Sequence, residues 1–273
     1  MEQSSYDKVW HWFLTGEKSG KFPPTIELWI KFSQIVYQWL PGSPRCFECD
    51  MPLAGPSGLL LRPMGSRPSS FSSRLCSACE NYIRQHEGGA EVELTMLFAD
   101  VRDSTPLAEA KGITGFKEII NRFYKEASNV LVGHNAMVNR LMGDQIIALF
   151  VPRFAGKDHA KVAFHATQEL LRVTGHGDTV GPWIPVGAGI HTGLAYVGAV
   201  GSAKGVNEIA VLGSAANMCA RLSSKAGAGE ILISEDSVKS GNLDVINLEA
   251  RSFELKGVSQ PVSVRVMKVS NIF

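Results

Sequence analysis

An uncharged apolar segment at residues 94–99 ends in a cluster of polar residues that begins at Asp100. This pattern predicts a buried strand that leads into a polar turn. Thr105 and Pro106 form a favourable N-cap and first-turn pair, so we expect a helix to begin there. Apolar residues follow at helical spacing, namely Phe116, Ile119, Ile120, Phe123, Ala127 and Val130. A helix N-terminus that faces a strand-end carboxylate can hold a phosphate, although Asp100 could also serve only to cap the helix.

A second aspartate lies in a predicted hairpin turn. Residues 138–151 read VNRLMGDQIIALFV, two apolar segments separated by a turn that contains Gly143 and Asp144. Such a pattern is typical of a β-hairpin. If the strand that ends at Asp100 pairs with this hairpin, both carboxylates lie at one edge of the sheet. A carboxylate pair so placed can bridge two divalent ions about 3.5 to 4 Å apart.

The remaining C-terminal sequence alternates helical and strand periodicities. A helical face carries Ala163, Ala166, Leu170 and Val173, and a strand follows with Ile184, Val186, Ala188 and Ile190 in alternation. Glycines at 187 and 189 predict that the other face of this strand lies under another element or near a ligand. We expect a helix at residues 214–224 after Gly213, and strands at 231–233, 252–256 and 262–268. Together these elements predict an α+β sandwich of ferredoxin-like type.

An amphipathic helix is predicted after the break at Pro23 and Pro24. Its apolar stripe consists of Trp29, Phe32, Ile35, Val36 and Trp39. We expect this stripe to be buried against the rest of the chain. Insertion at a membrane surface is the alternative, and it is disfavoured because the polar face is not rich in lysine and arginine.

Two C-x-x-C pairs lie on either side of a segment rich in glycine, proline and serine. They are Cys46 with Cys49 and Cys76 with Cys79. Four thiolates in two close pairs suit tetrahedral zinc, which would stabilise a segment that has few core residues. A redox pair or an iron–sulfur cluster is the alternative. Disulfides are disfavoured in a reducing cytoplasm, and the segment lacks the basic cluster expected of a nucleic-acid-binding knuckle.

Composition narrows the possible classes of protein. The chain has 273 residues, of which 45% are hydrophobic and 19% charged, and a net charge of +1. This composition is typical of a globular protein and gives no electrostatic reason to expect binding to nucleic acid or to an anionic membrane. We expect a cytoplasmic protein without a secretory signal or a transmembrane segment, since the apolar residues 28–40 are too few to span a bilayer.

Six motifs, in this order, resemble those of class III nucleotidyl cyclase catalytic domains, the adenylyl and guanylyl cyclases. The motifs are LFADVRDST, RLMGDQIIALF, GAGIHTGLAYVGAVGS, VLGSAANMCARL, GEILIS and ELKGVSQPVSV. The resemblance covers residues 91–273 and implies the ferredoxin-like βααββαβ fold of that family. The expected organisation is therefore a helical segment at 1–44, a four-cysteine segment and linker at 45–90, and a catalytic domain at 91–273.

The resemblance also implies a head-to-tail homodimer with two active sites, each built from both chains. Asp100 and Asp144 match the aspartates that hold two Mg²⁺ or Mn²⁺ ions, and the carbonyl of Val101 is expected to assist them. The turn that surrounds the β- and γ-phosphates matches Val101, Arg102, Asp103, Ser104 and Thr105.

Three residues of the expected site would come from the partner subunit. Asn217 matches the asparagine that positions the ribose, and Arg221 the arginine that stabilises the transition state. Lys256 matches the lysine that binds the terminal phosphates. In the reaction that the resemblance implies, the ribose 3′-hydroxyl attacks the α-phosphate and pyrophosphate leaves. No side-chain nucleophile is required, and we interpret His191 and Cys219 as packing residues.

The sequence departs from adenylyl cyclases where the base is bound. Arg140 stands where those enzymes carry lysine, and Ala210 stands where they carry aspartate or threonine. Arginine only donates hydrogen bonds, which suits adenine N1, whereas guanine carries an N–H at that position. ATP is therefore the expected substrate, with reduced selectivity. The alternatives are a guanylyl or mixed-specificity cyclase and a catalytically weak domain that binds nucleotide or serves for dimerisation.

Overall fold

The structure is a computed structural model that describes residues 5–69, 72–200, 208–254 and 260–269. The chain divides into two compact units. The N-terminal unit comprises Met1–Val92, Pro152–Phe154 and Tyr196–Leu212. The C-terminal unit comprises Glu93–Val151, Ala155–Ala195 and Gly213–Phe273.

The helices and strands follow one another along the whole chain. The helices are α1 (Ser5–Thr15), α2 (Pro24–Tyr37), α3 (Gly55–Leu60), α4 (Ser77–Gln85), α5 (Ser104–Gly133), α6 (Pro152–Ala155), α7 (His159–Val173), α8 (Ser214–Lys225) and α9 (Glu235–Gly241), with a 3₁₀ turn at Arg62–Met64. The strands are β1 (Gly88–Val101), β2 (Met137–Met142), β3 (Gln145–Phe150), β4 (Val186–Val200), β5 (Glu208–Leu212), β6 (Glu230–Ser234), β7 (Glu249–Phe253) and β8 (Val262–Lys268).

These strands form one sheet in the order β2-β3-β1-β4-β6-β8-β7, and β5 pairs with the end of β4. The pairing of β1 with β3 is antiparallel and that of β4 with β6 is parallel. Helices α5 and α7 cover a face of the sheet, where Phe123, Leu131, Leu170 and Leu171 pack with strand residues such as Phe150 in the core. The apolar periodicities of these elements predicted this arrangement, and the α+β fold is confirmed.

A break in α5 completes the predicted βααββαβ order. Gly112 has φ 67° and ψ 168°, which interrupts the helical backbone and divides α5 into two helices. Only glycine adopts this conformation without steric cost. Strand β1, the two halves of α5, β2, β3, α7 and β4 then follow in the expected sequence.

The start of α5 corrects the sequence analysis. The helix begins at Ser104, and its N-cap is Asp103 with φ 52° and ψ 38°, so Thr105 is not the cap. Aspartate tolerates this left-handed conformation better than most residues. The strand predicted at 252–256 is observed at Glu249–Phe253, paired with β8 from Glu249 opposite Val266, and residues 255 and 256 of the prediction lie outside the described residues.

The apolar stripe of α2 is exposed, so the prediction that it packs on the rest of the described chain is wrong. Phe32, Ile35 and Trp39 are 64%, 60% and 81% exposed. A different face of α2 is buried instead, through Ile26 and Tyr37. Helical spacing locates an apolar stripe but does not identify what covers it. No helix in the described ranges is both long enough and apolar enough to cross a membrane.

Candidate functional site

The carboxyl groups of Asp100 and Asp144 meet at one edge of the sheet. Asp100 is the last residue of β1 that pairs with β3, directly opposite Gln145. Gly143 and Asp144 form the hairpin turn that precedes Gln145, and Gly143 has φ 64°. The backbone N–H of Val101 donates to the carbonyl of Asp144 at 3.1 Å. This pairing brings the two carboxyl groups close enough to interact electrostatically.

Burial and two neighbouring charges shift the pKa of the Asp100 carboxyl group in different directions. Burial raises the pKa of its carboxyl group above the ordinary value, the adjacent Arg102 guanidinium lowers it, and the nearby Asp144 carboxylate raises it again. Nη2 of Arg102 donates to Asp100 Oδ2, and Nε donates to the Asp100 carbonyl at 3.2 Å. The net direction is upward. Two neighbouring acidic groups, one of them partly desolvated, are a favourable environment for a cation.

The turn after β1 exposes fewer backbone donors than the sequence suggests. The N–H of Val101 is bonded to Asp144, and the N–H of Arg102 donates to the carbonyl of Pro185 at 2.8 Å. The first turn of a helix leaves its own N–H groups without intrahelical partners. Ser104 and Thr105, at the N-terminus of α5, therefore offer the backbone donors for an anion.

Helix α8 carries Asn217 and Arg221 one turn apart. The buried face of the helix includes Ala215, Cys219 and Leu222, which leaves Asn217 exposed and Arg221 partly exposed. Among the described residues, neither of these two side chains makes a hydrogen bond or ion pair within the same chain. Both are therefore available to a ligand or to a second chain.

Two glycines of β4 allow α8 to pack directly on the strand. An ideal Cβ at Gly189 would lie 2.4 Å from the backbone nitrogen of Ser223 and 2.9 Å from the carbonyl of Cys219. At Gly187 it would lie 2.8 Å from the carbonyl of Ala226. The sequence prediction that this strand face lies under another element is confirmed. The close approach sets the height of α8, and with it the position of Asn217 and Arg221, above the sheet.

The structure describes the three remaining predicted site residues only in part. They are Arg140, Ala210 and Lys256. The backbone of Arg140 lies in β2 opposite Ile147, next to a shift in the pairing register, and its side chain is outside the described part of the structure. Ala210 lies in β5 opposite Gly198 of β4. Lys256 lies outside the described residues.

Comparison with protein families identifies the C-terminal part of the chain. The adenylate and guanylate cyclase catalytic domain family matches residues 89–268, about two thirds of the sequence. The chain belongs to this family. Domains of this class use divalent metal ions, bind nucleotide and work as dimers.

The curated relatives include one adenylate cyclase. Adenylate cyclase 1 of Rhizobium meliloti (strain 1021) is 28% identical over 145 residues, which are 50% of this chain and 22% of that protein. An uncharacterized protein of the same strain is 28% identical over 184 residues, 65% of this chain and 17% of that protein. The chain thus spans about a fifth of the length of these curated relatives.

Solved structures agree with the fold of the cyclase domain. The guanylyl cyclase Cya2 has a TM-score of 0.58 at 28% identity, with 65% of this chain and 92% of that chain covered. The adenylyl cyclase CyaB from P. aeruginosa has a TM-score of 0.56 at 23% identity, with 66% and 96% covered. At such identities the choice between ATP and GTP does not transfer.

The sequence analysis did not find two side chains that support the carboxylate pair of the cyclase domain. The Tyr124 hydroxyl donates to the carbonyl of Gly143 at 2.6 Å and so holds the hairpin turn. Arg102 was expected to contribute its backbone, whereas its guanidinium binds Asp100. Helical spacing could have placed Tyr124 beside Phe123, on the side of α5 that faces the sheet, but no sequence signal indicates its hydrogen bond.

His191 and Cys219 are buried in the cyclase domain, as their interpretation as packing residues requires. Nδ1 of His191 lies 2.9 Å from the Ser234 hydroxyl, and burial lowers the pKa of the imidazole. Burial also raises the pKa of the Cys219 thiol. A thiol kept neutral in this way is a poor nucleophile.

The four cysteines of the N-terminal unit form one buried cluster. The Sγ atoms of Cys46, Cys49, Cys76 and Cys79 all lie within 4.8 Å of one another. All four are free thiols, and Sγ of Cys46 and Sγ of Cys79 are 3.8 Å apart. The backbone N–H of Cys76 donates to Sγ of Cys46, and that of Cys79 to Sγ of Cys76. Such N–H···S bonds favour thiolates, so the cluster could hold a metal ion.

Proposed function

We propose that the chain is an adenylyl cyclase that converts ATP into 3′,5′-cyclic AMP and pyrophosphate at the interface of a homodimer. The observation that carries this proposal is that strand pairing places the carboxyl groups of Asp100 and Asp144 close together at one sheet edge, beside the N-terminus of α5. This arrangement provides ligands for cations and donors for phosphate in one place.

The acidic pair fits two Mg²⁺ or Mn²⁺ ions. Carboxylate and carbonyl oxygens are the ligands that these hard cations prefer. A cation at this position would also relieve the repulsion between Asp100 and Asp144. When bound, the ions would activate the ribose 3′-hydroxyl and neutralise charge on the phosphates. Asp100, Asp144 and the carbonyl of Val101 would hold them.

The other residues of the chain bind and orient the substrate in this proposal. The N–H groups of Ser104 and Thr105 would donate hydrogen bonds to the β- and γ-phosphates. From the second copy, Asn217 would position the ribose and Arg221 would offset charge on the phosphoryl oxygens. Lys256 would bind the pyrophosphate as it leaves.

The reaction needs no covalent enzyme intermediate. The 3′-oxygen forms a bond to the α-phosphorus, the bond from that phosphorus to the bridging oxygen breaks, and the hydroxyl proton passes to water. The residues act by orientation and by charge.

ATP is the proposed substrate because of Arg140. Its guanidinium only donates, and adenine N1 accepts, whereas guanine N1 would place two donors opposite each other. Ala210 offers no acceptor to the adenine amino group, so we expect discrimination against GTP to be modest. A guanylyl cyclase and a nucleotide-binding dimerisation module are the competing functions.

A product assay with ATP and GTP in parallel tests the proposal. The purified chain is incubated with each nucleotide and Mn²⁺ or Mg²⁺, and cyclic products are separated by chromatography. We expect more cyclic AMP than cyclic GMP, and loss of both on chelation. Cyclic GMP as the main product would establish a guanylyl cyclase. A folded dimer that binds nucleotide but forms neither product would favour the dimerisation module.

We propose in addition that the cysteine cluster binds structural zinc. Four thiolates within 4.8 Å of one another match the tetrahedral ligand set of such sites. The packing around the cluster supports a structural role, because all four cysteines are buried.

A further inference from the structure

The apolar stripe of α2 is a surface that the cyclase reaction does not use. With Leu28, which lies one turn before Phe32, it comprises six residues that are each 41% to 81% exposed. They are Leu28, Trp29, Phe32, Ile35, Val36 and Trp39. A fully exposed side chain of this size has about 150 to 250 Å² of surface, so the stripe exposes roughly 700 Å². Monomeric proteins rarely expose apolar patches larger than about 300 to 600 Å², so a patch of this size indicates an interaction site.

The remainder of α2 is anchored to the N-terminal unit. Ile26 and Tyr37 are buried. Nε2 of Gln34 donates to the carbonyl of Glu48 at 3.1 Å. Nη1 of Arg45 donates to the carbonyl of Tyr37 at 3.0 Å. A rotation of α2 that buried the stripe would break these bonds and expose apolar side chains, so the stripe stays on the surface of the described chain.

Four residues of the stripe have the spacing of a helix that pairs with another helix. Intervals of four, three and four residues lead from Leu28 to Phe32, Ile35 and Trp39. These are the intervals between the a and d positions of a heptad, which form a narrow seam along a partner helix. Trp39 lies just beyond α2, and the C-cap Gln38 keeps helical dihedral angles of φ −54° and ψ −29°. A second helix with the same spacing therefore fits the stripe.

The charges of α2 disfavour a membrane surface as the partner. The helix carries one basic residue, Lys31, and one acidic residue, Glu27, and these form an ion pair at 2.9 Å. Helices that bind anionic membranes have a polar face rich in lysine and arginine. The stripe has no charge and contains three aromatic rings, a composition typical of the core of a protein interface.

We propose that the stripe pairs with the same stripe of a second copy of this chain, across a twofold axis. Domains of this family work as dimers, so each assembly contains two copies of α2 at a high effective concentration. Two stripes would bury about 1,400 Å² in total, within the range of about 1,200 to 2,000 Å² found for stable interfaces. The N-terminal unit thus adds a contact between the chains that is separate from the contacts of the cyclase domain.

Two double variants of opposite charge test this self-pairing in the full chain. Phe32→Lys/Ile35→Lys and Phe32→Glu/Ile35→Glu each place like charges across the axis, whichever way the two helices run. Both side chains are exposed in the single chain, so circular dichroism should show an unchanged fold. Analytical ultracentrifugation should show at least about tenfold weaker dimerisation of each variant alone. An equal mixture of the two should recover dimerisation, because opposite charges then meet.

The matched controls are Ile246→Lys and Ile246→Glu, at a residue that is 87% exposed and lies outside the stripe. Neither should change dimerisation. Unchanged dimerisation of the stripe variants would overturn the proposal, as would weakened dimerisation that does not recover on mixing. Binding of the native chain to phosphatidylglycerol vesicles, together with unchanged dimerisation of the variants, would assign the stripe to a membrane surface instead.

Photo-crosslinking decides the matter if the charge variants do not fold. Benzoylphenylalanine in place of Phe32 keeps an aromatic side chain on the stripe, and irradiation should join two full chains covalently. The same replacement at Ile246 should give no crosslinked dimer. A dimer that forms without the crosslink at position 32 would overturn the pairing of α2 and leave the proposed cyclase function intact.

Discussion

Arg102 and a divalent cation would share the carboxylate of Asp100. The guanidinium binds Oδ2, one of the two carboxylate oxygens that could hold a cation at this edge of the sheet. An exchange of partners at Oδ2 is feasible because the ion pair is part-buried and arginine keeps a second acceptor, the Asp100 carbonyl at 3.2 Å. Arg102 can therefore hold the carboxylate in position without blocking the site permanently.

Substitution of either aspartate should abolish turnover without unfolding the domain. Asp100→Asn and Asp144→Asn keep the size of each side chain but remove the charge that holds the cations, so we expect a loss of more than about a hundredfold in product formation. Circular dichroism should show an unchanged fold.

The matched control for the aspartate pair is Asp158→Asn. Asp158 is an exposed aspartate that precedes α7 and makes no side-chain cap bond. Its substitution should preserve activity. An Asp144→Asn enzyme with near-normal turnover would contradict the proposed two-metal site.

Base selectivity should change in opposite directions at the two unusual positions. Arg140→Glu supplies an acceptor and should lower ATP turnover while raising the relative use of GTP. Ala210→Asp gives the adenine amino group a partner and should raise the preference for ATP. Each contact is expected to change the ratio of kcat/KM for the two nucleotides by about 1 to 3 kcal/mol.

Arg172→Glu, at an exposed arginine of α7, is the control for the charge reversal at Arg140. It should leave the ATP to GTP ratio unchanged. If both Arg140→Glu and Ala210→Asp also leave the ratio unchanged, backbone groups bind the base.

At the scale of elements, Gly189 is the glycine of β4 that α8 approaches most closely. Gly189→Ala would place Cβ 2.4 Å from the Ser223 nitrogen, so the backbone of α8 must move. We expect a lower free energy of unfolding by about 1 to 3 kcal/mol and reduced activity, because Asn217 and Arg221 move with the helix.

Gly133→Ala is the matched control. It makes the same substitution at a glycine that has open space around it. A Cβ at Gly133, near the end of α5, would have no neighbour within 4 Å. This variant should be as stable as the native protein or slightly more stable. Equal melting temperatures for the two variants would show that the close approach of α8 is not required.

The cysteine cluster should contain about one zinc ion per chain. Replacement of Cys46, Cys49, Cys76 or Cys79 by serine removes one ligand, so we expect loss of zinc and faster hydrogen exchange in residues 45–90 than in the cyclase domain. Cys219→Ala lies outside the cluster and should retain the metal. Elemental analysis that finds iron, or no metal in the reduced protein, would exclude structural zinc.

The sequence predicted well the elements that have one buried apolar face. The elements that pack against them also show regularly spaced apolar residues. The hairpin at Gly143, the helix that carries Asn217 and the strand that contains Gly189 each have a buried face, and that face determines their position. The hairpin carries Asp144 and α8 carries Asn217 and Arg221, while Asp100 ends the buried strand that was also predicted. The placement of these residues was therefore predictable from the sequence, whereas their roles rest on the family resemblance.

The predictions that were wrong rest on local sequence patterns, which do not determine the backbone conformation or the packing around them. Thr105 has the composition of an N-cap, but the backbone of Asp103 adopts a left-handed conformation that starts the helix earlier. The stripe that includes Phe32 and Trp39 has the periodicity of a buried face and is exposed.

At the scale of the whole molecule, the proposed active site requires two chains. Asp100 and Asp144 lie together on one sheet edge, while Asn217 and Arg221 project from α8 without a partner among the described residues of the same chain. Domains of this family work as dimers. A head-to-tail dimer would place the α8 residues of each chain against the carboxylate pair of the other.

Complementation between two inactive variants tests this shared site. Asp100→Ala and Arg221→Ala homodimers should each be inactive, because every site lacks one group. A mixed dimer contains one site that lacks both groups and one intact site, so mixing should restore activity. At equal concentrations and random exchange, half of the dimers are mixed and each has one working site, which predicts about a quarter of the native activity. Subunit exchange is verified with chains carrying different tags. Exchange without recovery would contradict a site built from both chains, and activity in either variant alone would contradict the role of that residue.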